Sequence, residues 1–282
     1  MLPEFPSGDI RTASGSGTLF SVEFDILGSG STSLTIAGVM LRDSDNNNMP
    51  VDYSSGSINV LLPVRAKVFL QGPFVSTEMN TTLNSGGFLP IDQPYDIAPW
   101  NYNGTESVAS DFFSINPNIV DWALLEVRSD LADSTKLGEK AGFLLNDGNV
   151  VGVDGVSPIY FDLNPDNYYV VIKHRNHLSI INAASYSFSR ESVGYDFTDA
   201  QSKAYGSEAI QEIAPGIFGM YAGDANSDGS LTGTDFNIFN PLFRSAASGY
   251  LSSDFNMDGS ITGTDFNMFN PNFRNARSSQ VP

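Results

Sequence analysis

The sequence predicts a mainly β protein in which β-sandwich domains are followed by a small α-helical module with two ion-binding loops. Three observations predict this fold. In Thr18–Leu27, apolar and polar side chains alternate with the period of two that is typical of a half-buried strand. Short apolar runs then recur between segments rich in Pro, Gly, Asn and Asp, as strands do between loops. Near the C-terminus, Asp224–Arg244 is repeated as Asp254–Arg274 with five differences.

The composition narrows the class of partner. The chain has 282 residues, and its 32 acidic against 14 basic residues give a formal net charge of −18. Such a surface repels nucleic-acid phosphates and anionic membranes and favours divalent cations. The lack of cysteine excludes disulfides, thiol catalysis and zinc–thiolate sites. No apolar run is long enough to span a bilayer, and the N-terminus lacks a signal-peptide pattern, so we expect an exported form to be mature or part of a longer polypeptide.

Three domains follow from the pattern of strands and loops. Residues 1–63 hold the alternating strand, an apolar run at Leu34–Leu41 and a short strand at Gly56–Leu62. Residues 64–220 form a larger β-sandwich-like region, in which the proline-rich stretch Asn80–Asn118 predicts extended loops. Residues 221–282 form the C-terminal module. The strand candidates of the larger region are Val64–Gln71, Trp122–Arg128, Lys140–Leu145, Tyr168–His174 and Ser185–Ser189.

Each copy of the repeat has the spacing of oxygen atoms that a calcium loop requires. Ca²⁺ takes about six to eight oxygen ligands, and a loop of about twelve residues can supply them from its odd positions and its last position. Both copies begin with Asp-x-Asn-x-Asp-Gly and carry another Asp at the twelfth position. The seventh residue would act through its backbone carbonyl. The predicted ligands are Asp224, Asn226, Asp228, Ser230, Thr232 and Asp235 in the first loop, and Asp254, Asn256, Asp258, Ser260, Thr262 and Asp265 in the second.

The other residues of each loop agree with this prediction. Gly229 and Gly259 occupy the sixth position, where the chain turns sharply and positive φ favours glycine. Leu231 and Ile261, at the eighth position, are expected to tie the two loops together.

A helix is expected after each loop, with three phenylalanines on one face. Asn240-Pro241 and Asn270-Pro271 predict a break in each helix, followed by a new first turn with Asn as its N-cap. The phenylalanines are Phe236, Phe239 and Phe243 in the first copy, and Phe266, Phe269 and Phe273 in the second.

The duplicated loop–helix segments resemble type I dockerin modules over about residues 221–276. Two features that distinguish them from ordinary EF-hands carry the resemblance: the twelfth residue is Asp rather than Glu, and no helix precedes either loop. The resemblance implies an EF-hand-like module with two calcium ions, pseudo-twofold symmetry and docking onto a cohesin β-sandwich. In dockerins the tenth and eleventh loop positions and the following helix recognise the partner, and here those positions are Gly233-Thr234 and Gly263-Thr264.

A second resemblance concerns Gly15–Leu62, which looks like the closing half of a cohesin-like β-sandwich. The order of an alternating strand, a turn, an apolar strand, a polar loop and a final strand carries it. These are TLFSVEFDIL, GSGSTS, LTIAGVML, RDSDNNNMP and SGSINVLL. Because the opening strands are missing, either neighbouring copies complete one another by strand addition into a filament, or the sequence is part of a larger protein. The middle region resembles parts of large bacterial surface proteins.

Few residues suggest catalysis. The cluster His174-Arg175-Asn176-His177 has the residue types for a transition-metal or acid–base site, but packing at a strand end with hydrogen bonds to the backbone is favoured. Carboxylate pairs for glycoside hydrolysis are defined by space rather than by sequence. No nucleophile-elbow, phosphate-loop or dinucleotide motif is present. We therefore predict that the protein is not an enzyme.

Two further binding sites are weaker candidates. Trp100, Tyr102 and Trp122 could form a stacking platform for a sugar, although aromatic residues in a β-sandwich are more often core. Asp43, Asp45 and Asn47 could hold a third calcium ion, although a plain turn is favoured.

The predicted function is that of an extracellular or cell-surface structural protein that joins subunits, or anchors to a scaffold, in a calcium-dependent manner. The expected partner is a cohesin-like β-sandwich or neighbouring copies of the same chain, with a glycan as a further candidate. Two alternatives stay open. In the first, the protein is a non-catalytic or glycan-binding component of a polysaccharide-degrading complex. In the second, its C-terminal module only caps the β-sandwich of its own chain.

Overall fold

The structure, a computed structural model, describes residues 30–35, 41–42, 45–49 and 56–282. The chain divides into two compact units, Met1–Leu61 with Asp162–Asn164 and Leu62–Phe161 with Pro165–Pro282. Within the described residues the secondary structure is mainly β with a few helices, as the sequence predicts. No helix of this part of the chain is long and apolar enough to cross a membrane. The predicted strand Thr18–Leu27 lies outside the described residues.

The described part of the first unit consists of two antiparallel strand pairs. Strand β1 (Gly30–Leu34) pairs with β4 (Gly56–Val60), and β2 (Leu41–Arg42) pairs with β3 (Asn48–Met49). Asp45 and Asn47, two of the three residues considered for a third calcium ion, lie in the turn between β2 and β3. The third, Asp43, lies outside the described residues.

The second unit contains the remaining fourteen strands that the structure describes, most of them short. They are β5 (Leu62–Val64), β6 (Ala66–Lys67), β7 (Phe74–Val75), β8 (Glu78–Met79), β9 (Ile119–Arg128), β10 (Lys136–Leu145), β11 (Asn149–Val151), β12 (Ile159–Phe161), β13 (Asp166–Lys173), β14 (Ile180–Ile181), β15 (Tyr186–Phe188), β16 (Tyr195–Asp196), β17 (Gln211–Ala214) and β18 (Ile217–Gly219). Four of the five strand candidates are confirmed within a few residues, whereas Val64–Gln71 is divided among β5, β6 and a bridge at Leu70.

The largest sheet of this unit is built around β9 and β10. Its strand order is β14-β13-β9-β10-β11-β6-β16, and β15 also pairs with β13. Phe143 of β10 lies opposite Trp122 of β9. Every residue of β9 is buried, which shows that both faces of this strand are covered. Smaller pairs, β5 with β12, β7 with β8 and β17 with β18, complete the β structure.

The proline-rich stretch between β8 and β9 is mostly irregular, as predicted, with two single-turn helices, α1 (Thr82–Ser85) and α2 (Phe112–Ile115). The Tyr95 hydroxyl donates to the Trp122 carbonyl at 2.9 Å, and Trp122 Nε1 donates to the Pro90 carbonyl at 2.9 Å. Both side chains are fully buried. The stretch therefore packs directly against β9.

Two longer helices, α3 (Gly233–Arg244) and α4 (Gly263–Arg274), follow the repeated loops. Each runs without interruption through its proline, so the predicted breaks at Asn240-Pro241 and Asn270-Pro271 are wrong. Both prolines lie on the exposed side of their helices. The carbonyl that loses its N–H partner there can be hydrated, and packing of the buried side keeps the helix intact.

Candidate functional site

The two predicted calcium loops adopt the same backbone conformation. Gly229 and Gly259, at the sixth position, have φ of +83° and +84°. Ser227 and Met257, at the fourth position, also have positive φ, 58° and 59°. Because these two residues differ chemically yet share an unusual conformation, the conformation belongs to the loop as a whole rather than to a local preference of either residue.

The carboxylates at the first and fifth positions are fixed by the backbone of their own loop. Asp224 Oδ2 accepts from Gly229 N at 3.0 Å, and Asp228 Oδ1 accepts from Ser230 N at 2.9 Å. The corresponding bonds of the second loop measure 2.8 Å and 2.9 Å. Backbone hydrogen bonds therefore orient both carboxylates before a ligand binds.

The last predicted ligand of each loop also starts its helix. Asp235 Oδ2 accepts from Thr232 N at 2.7 Å, while Thr232 Oγ1 accepts from Thr234 N at 3.1 Å, which forms a capping box. The second loop repeats both bonds at 2.8 Å and 3.2 Å. The ninth and twelfth positions thus link loop geometry to the first turn of the helix.

The electrostatics of the loops favour a cation. Asp224 is 2% exposed, and its Oδ1 has no hydrogen-bond partner. Burial, together with the carboxylates of Asp235 and Asp228, raises the pKa of Asp224 to about 7. Burial also raises the pKa of Asp254 to about 7, although Arg175 acts in the opposite direction. A buried carboxylate oxygen without a partner, beside further carboxylates, fits a bound cation.

The donor set of each loop is mixed rather than wholly acidic. Among the residues that the structure describes, no group of three or more His, Cys, Asp or Glu side chains is arranged to hold a metal ion by itself. In the first loop the Asn226 amide donates to Asp228 Oδ2 at 2.8 Å, so one carboxylate oxygen is already paired. Asn226, Thr232 and the Ser230 carbonyl would supply the neutral oxygens. Such an all-oxygen set suits calcium better than a transition metal, and the two ions stay a prediction.

Each loop is closed by the segment that follows the other helix. Leu231 N donates to the Arg277 carbonyl at 2.9 Å, and Ile261 N donates to the Ala247 carbonyl at 2.9 Å. Leu231 packs in a small cluster with Tyr221, whereas Ile261 packs in the core between the helices. We expected the eighth residues to tie the two loops to each other. Instead, each one bonds its own loop to the segment that follows the helix of the other copy.

The two helices share a core of stacked phenylalanine rings. Phe239, Phe255 and Phe269 are at most 2% exposed. The ring centroid of Phe255 lies 6.3 Å from that of Phe239 and 6.0 Å from that of Phe269. Phe243 and Phe273 are 43% and 37% exposed, so the predicted phenylalanine faces point only partly inward.

We use the name outer face for exposed residues at the two ends of α3 and α4. It includes the tenth and eleventh loop positions of both copies and the last two residues of each helix. These residues are Gly233, Thr234, Phe243, Arg244, Gly263, Thr264, Phe273 and Arg274. Their arrangement repeats because the two copies share both sequence and conformation.

The cluster His174-Arg175-Asn176-His177 follows β13 and is buried throughout. Asp121 Oδ2 lies 3.2 Å from His174 Nε2, and His177 Nε2 accepts from Gly72 N at 3.3 Å. Burial lowers the pKa of both histidines, which keeps them neutral. The preferred interpretation, packing at a strand end, is confirmed. The orienting carboxylate of Asp121 could not be found from sequence spacing because it lies 53 residues away on β9.

The aromatic residues considered for sugar stacking do not form an open platform. Trp122 is fully buried with its centroid 4.3 Å from that of Phe143, and Tyr102 is 6% exposed. Trp100 packs edge-on against Tyr95 with a centroid distance of 5.0 Å. Trp122 and Tyr102 belong to the interior, which was the more common outcome expected for such residues.

Comparisons with known proteins assign no family. No protein-family model matches the chain, and no curated protein sequence matches it. Among solved structures, it is similar to a C-terminal interface mutant of a type II cohesin–X–dockerin complex from Acetivibrio cellulolyticus, with 16% identity, a TM-score of 0.38, and coverage of 77% of this chain and 97% of that chain. An N-terminal interface mutant of the same complex gives 15% identity and a TM-score of 0.37 over the same coverage. Similarity at this level defines neither the fold nor the partner.

Proposed function

We propose that this protein is a non-catalytic structural protein of the cell exterior, whose C-terminal loop–helix module binds two calcium ions and docks onto a protein partner. The observation that carries the proposal is the equivalence of the two loops, each with a buried carboxylate at its first position. Burying such a group costs free energy unless a charge compensates it. Burial of a carboxylate at the same position of both loops supports a common ligand.

Calcium binding would order the C-terminal module through contacts made by the chain's own residues. Bound calcium would neutralise the carboxylates of each loop. Asp235 and Asp265 then hold the first turns of α3 and α4 through their capping boxes. Ordered helices in turn bring Phe239 and Phe269 into the shared core. Binding free energy therefore adds to the folding free energy of the module.

The proposed place of action is outside the cell. Outside the cell, loops of this kind need dissociation constants of only about 10⁻⁴–10⁻³ M, the range of extracellular calcium modules. A net charge of −18 agrees with a protein that works in the presence of divalent cations.

The outer face is the proposed docking surface. It presents Phe243 and Phe273 beside Arg244 and Arg274, and aromatic and arginine side chains are enriched at the energetic centres of protein interfaces. The arginines favour an acidic partner surface. A cohesin-like β-sandwich or a neighbouring copy of this acidic chain would provide one.

A non-catalytic role is supported by what the strongly perturbed groups do. Asp121 is paired with Arg175, and His174 and His177 are buried away from solvent. These groups stabilise the interior rather than line a cleft. A dry, structural environment accounts for their perturbed pKa values without a reaction.

Calcium titration of the whole chain by calorimetry tests the proposal. We expect two ions per chain, and Asp228→Ala and Asp258→Ala should each remove one. Light scattering then tests self-docking: species larger than a monomer in millimolar calcium, lost with EGTA or with the double variant Phe243→Ser and Phe273→Ser, support neighbouring copies. A chain that binds no calcium contradicts the proposal.

A second candidate function is favoured by the extent of contact between the module and the β region. Asn272 of α4 donates to Gln71 Oε1 at 2.7 Å and to the Ala222 carbonyl at 2.9 Å. In this version the module caps the β region of its own chain and needs no other partner. EGTA would then lower the melting temperature of a protein that is monomeric in both conditions.

A further inference from the structure

We infer that Asn176 couples the two calcium loops. Both loops are held in place by the buried cluster His174-Arg175-Asn176-His177. The inference rests on the proposed function, since it concerns the calcium ions. Asn176 is fully buried at the end of β13. It is neither a predicted ligand nor part of the repeat.

Asn176 contacts the first ligand residue of both loops. Its carbonyl accepts from Gly223 N at 3.0 Å and from Asp224 N at 3.2 Å, which holds the start of the first loop. Its side-chain Nδ2 donates to the Asp254 carbonyl at 2.7 Å, which holds the start of the second. One residue of the β region therefore positions the backbone of both buried carboxylates.

The orientation of the Asn176 amide is itself fixed. His177 Nε2 accepts from Gly72 N, so the neutral imidazole carries its proton on Nδ1. That Nδ1 lies 2.7 Å from Asn176 Oδ1 and can donate to it. With its oxygen bound to His177, the Asn176 amide must turn its NH₂ group toward Asp254.

The residues on either side of Asn176 hold the same two loops. The Arg175 carbonyl accepts from Ser227 Oγ, in the first loop, at 2.8 Å. Gly72, which is bonded to His177, lies against the second loop so closely that a Cβ there would be 1.6 Å from the Phe255 carbonyl oxygen. Only glycine at position 72 leaves room for the second loop to pack in its observed position.

This arrangement makes each ion sensitive to the other. An ion in one loop fixes the first residue of that loop and thereby restrains Asn176. Asn176 is then already ordered where the other loop bonds to it, so less conformational entropy is lost when the second ion binds.

Calorimetric calcium titration of single-site variants tests the coupling. Asp258→Ala leaves the first loop, and Asp228→Ala leaves the second. Adding Asn176→Ala removes the side-chain bonds to the Asp254 carbonyl and to His177 but keeps the backbone carbonyl that holds the first loop. We therefore expect calcium affinity to fall about tenfold in the second loop and to change less than about threefold in the first. In the chain with both loops, positive cooperativity should be lost.

Asn182→Ala is the matched control. Asn182 is also fully buried, accepts from Val170 N and donates to the Tyr168 and Ala184 carbonyls, but it contacts neither loop. It should lower stability without a selective effect on the second loop. Equal effects of Asn176→Ala and Asn182→Ala on the calcium affinity of the second loop would overturn the inference.

Hydrogen exchange tests the coupling without a change at Asn176, in case that variant does not fold. In Asp228→Ala, calcium can load only the second loop. We expect it to slow exchange of the Gly223 and Asp224 amides at least about fivefold, because both donate to Asn176. Unchanged exchange with the second loop loaded contradicts the coupling, whereas an unaltered chain that binds no calcium contradicts the proposed function instead.

Discussion

Arg175 and Asp121 form an ion pair at 2.8 Å inside the protein, with side chains 5% and 0% exposed. The Arg175 guanidinium also lies 4.2 Å from the ring centre of Tyr250, whose hydroxyl donates to Asp121 Oδ1 at 2.7 Å. Burial by itself would raise the pKa of Asp121, but Arg175 and His174 bring it down to about 2. This charged network joins β9 to the segment between the two helices.

Asp121→Asn should cost about 3–5 kcal/mol of unfolding free energy, because it leaves Arg175 buried without its counter-charge. Chemical denaturation at saturating calcium measures the loss. Asp199→Asn is the control, since Asp199 pairs with Lys203 at 3.4 Å with side chains 55% and 37% exposed. That variant should cost less than about 1 kcal/mol. Similar losses for the two variants would show that the buried network contributes little.

Without calcium, the two first-position carboxylates should make the protein less stable as pH rises. The folded-state pKa values of Asp224 and Asp254 are raised to about 7, from 3.8 in the unfolded chain. Their contribution to stability is therefore fully present below pH 3.8 and lost as pH rises through about 7. His174 and His177 act in the opposite direction, since their lowered pKa values reduce stability as pH falls below 6.5.

Melting temperatures in EDTA from pH 5.5 to 7.5 measure this dependence. The comparison with a double variant, Asp224→Asn and Asp254→Asn, isolates the carboxylates because the histidines are common to both proteins. The unaltered protein should lose stability relative to the double variant as pH rises. A difference that does not change with pH in EDTA contradicts the assigned electrostatics.

Phe269 and Phe273 should respond very differently to the same substitution. Phe269→Ala removes a ring that is 1% exposed and should cost about 3–5 kcal/mol. Phe273→Ala, at a position 37% exposed on the outer face, should cost less than about 1.5 kcal/mol. Denaturant titration in calcium compares them. A large loss for Phe273→Ala would mean that this ring supports the fold rather than a partner.

Pro241→Ala should stabilise the module. Proline inside a helix costs up to about 3 kcal/mol, and the substitution restores the N–H that can pair with the Asn237 carbonyl. The greater freedom of the unfolded chain offsets about 1 kcal/mol of this gain. We expect a net gain of about 1–2 kcal/mol by denaturant titration. A net loss would indicate that Pro241 has a packing role in the folded module.

Local sequence was sufficient to predict features that depend on local chemistry. The Asp-x-Asn-x-Asp-Gly spacing predicted Gly229 and Gly259 as turn residues, and both have positive φ. Short apolar runs between segments rich in Pro, Gly, Asn and Asp located β9, β10, β13 and β15 to within a few residues. Proline preference, in contrast, predicted helix breaks at Pro241 and Pro271 that tertiary packing overrides.

Long-range relationships could not be read from the sequence. No spacing rule connects Asp121 with Arg175, or Gly72 with Phe255, because the topology of the sheet brings each pair together. The role of Asn176 was likewise invisible, since a single Asn beside two histidines has no motif that points to a loop 78 residues further along. The contacts that hold the two loops against the β region are a property of the fold rather than of the repeat.

A crystal structure determined at millimolar calcium would show whether the two loops bind the ion. We expect an ion in both loops, with Asp224 Oδ1 and the corresponding oxygen of Asp254 at about 2.3–2.6 Å from it. Loops without an ion under these conditions, with Asp224 Oδ1 still unpartnered, would contradict it.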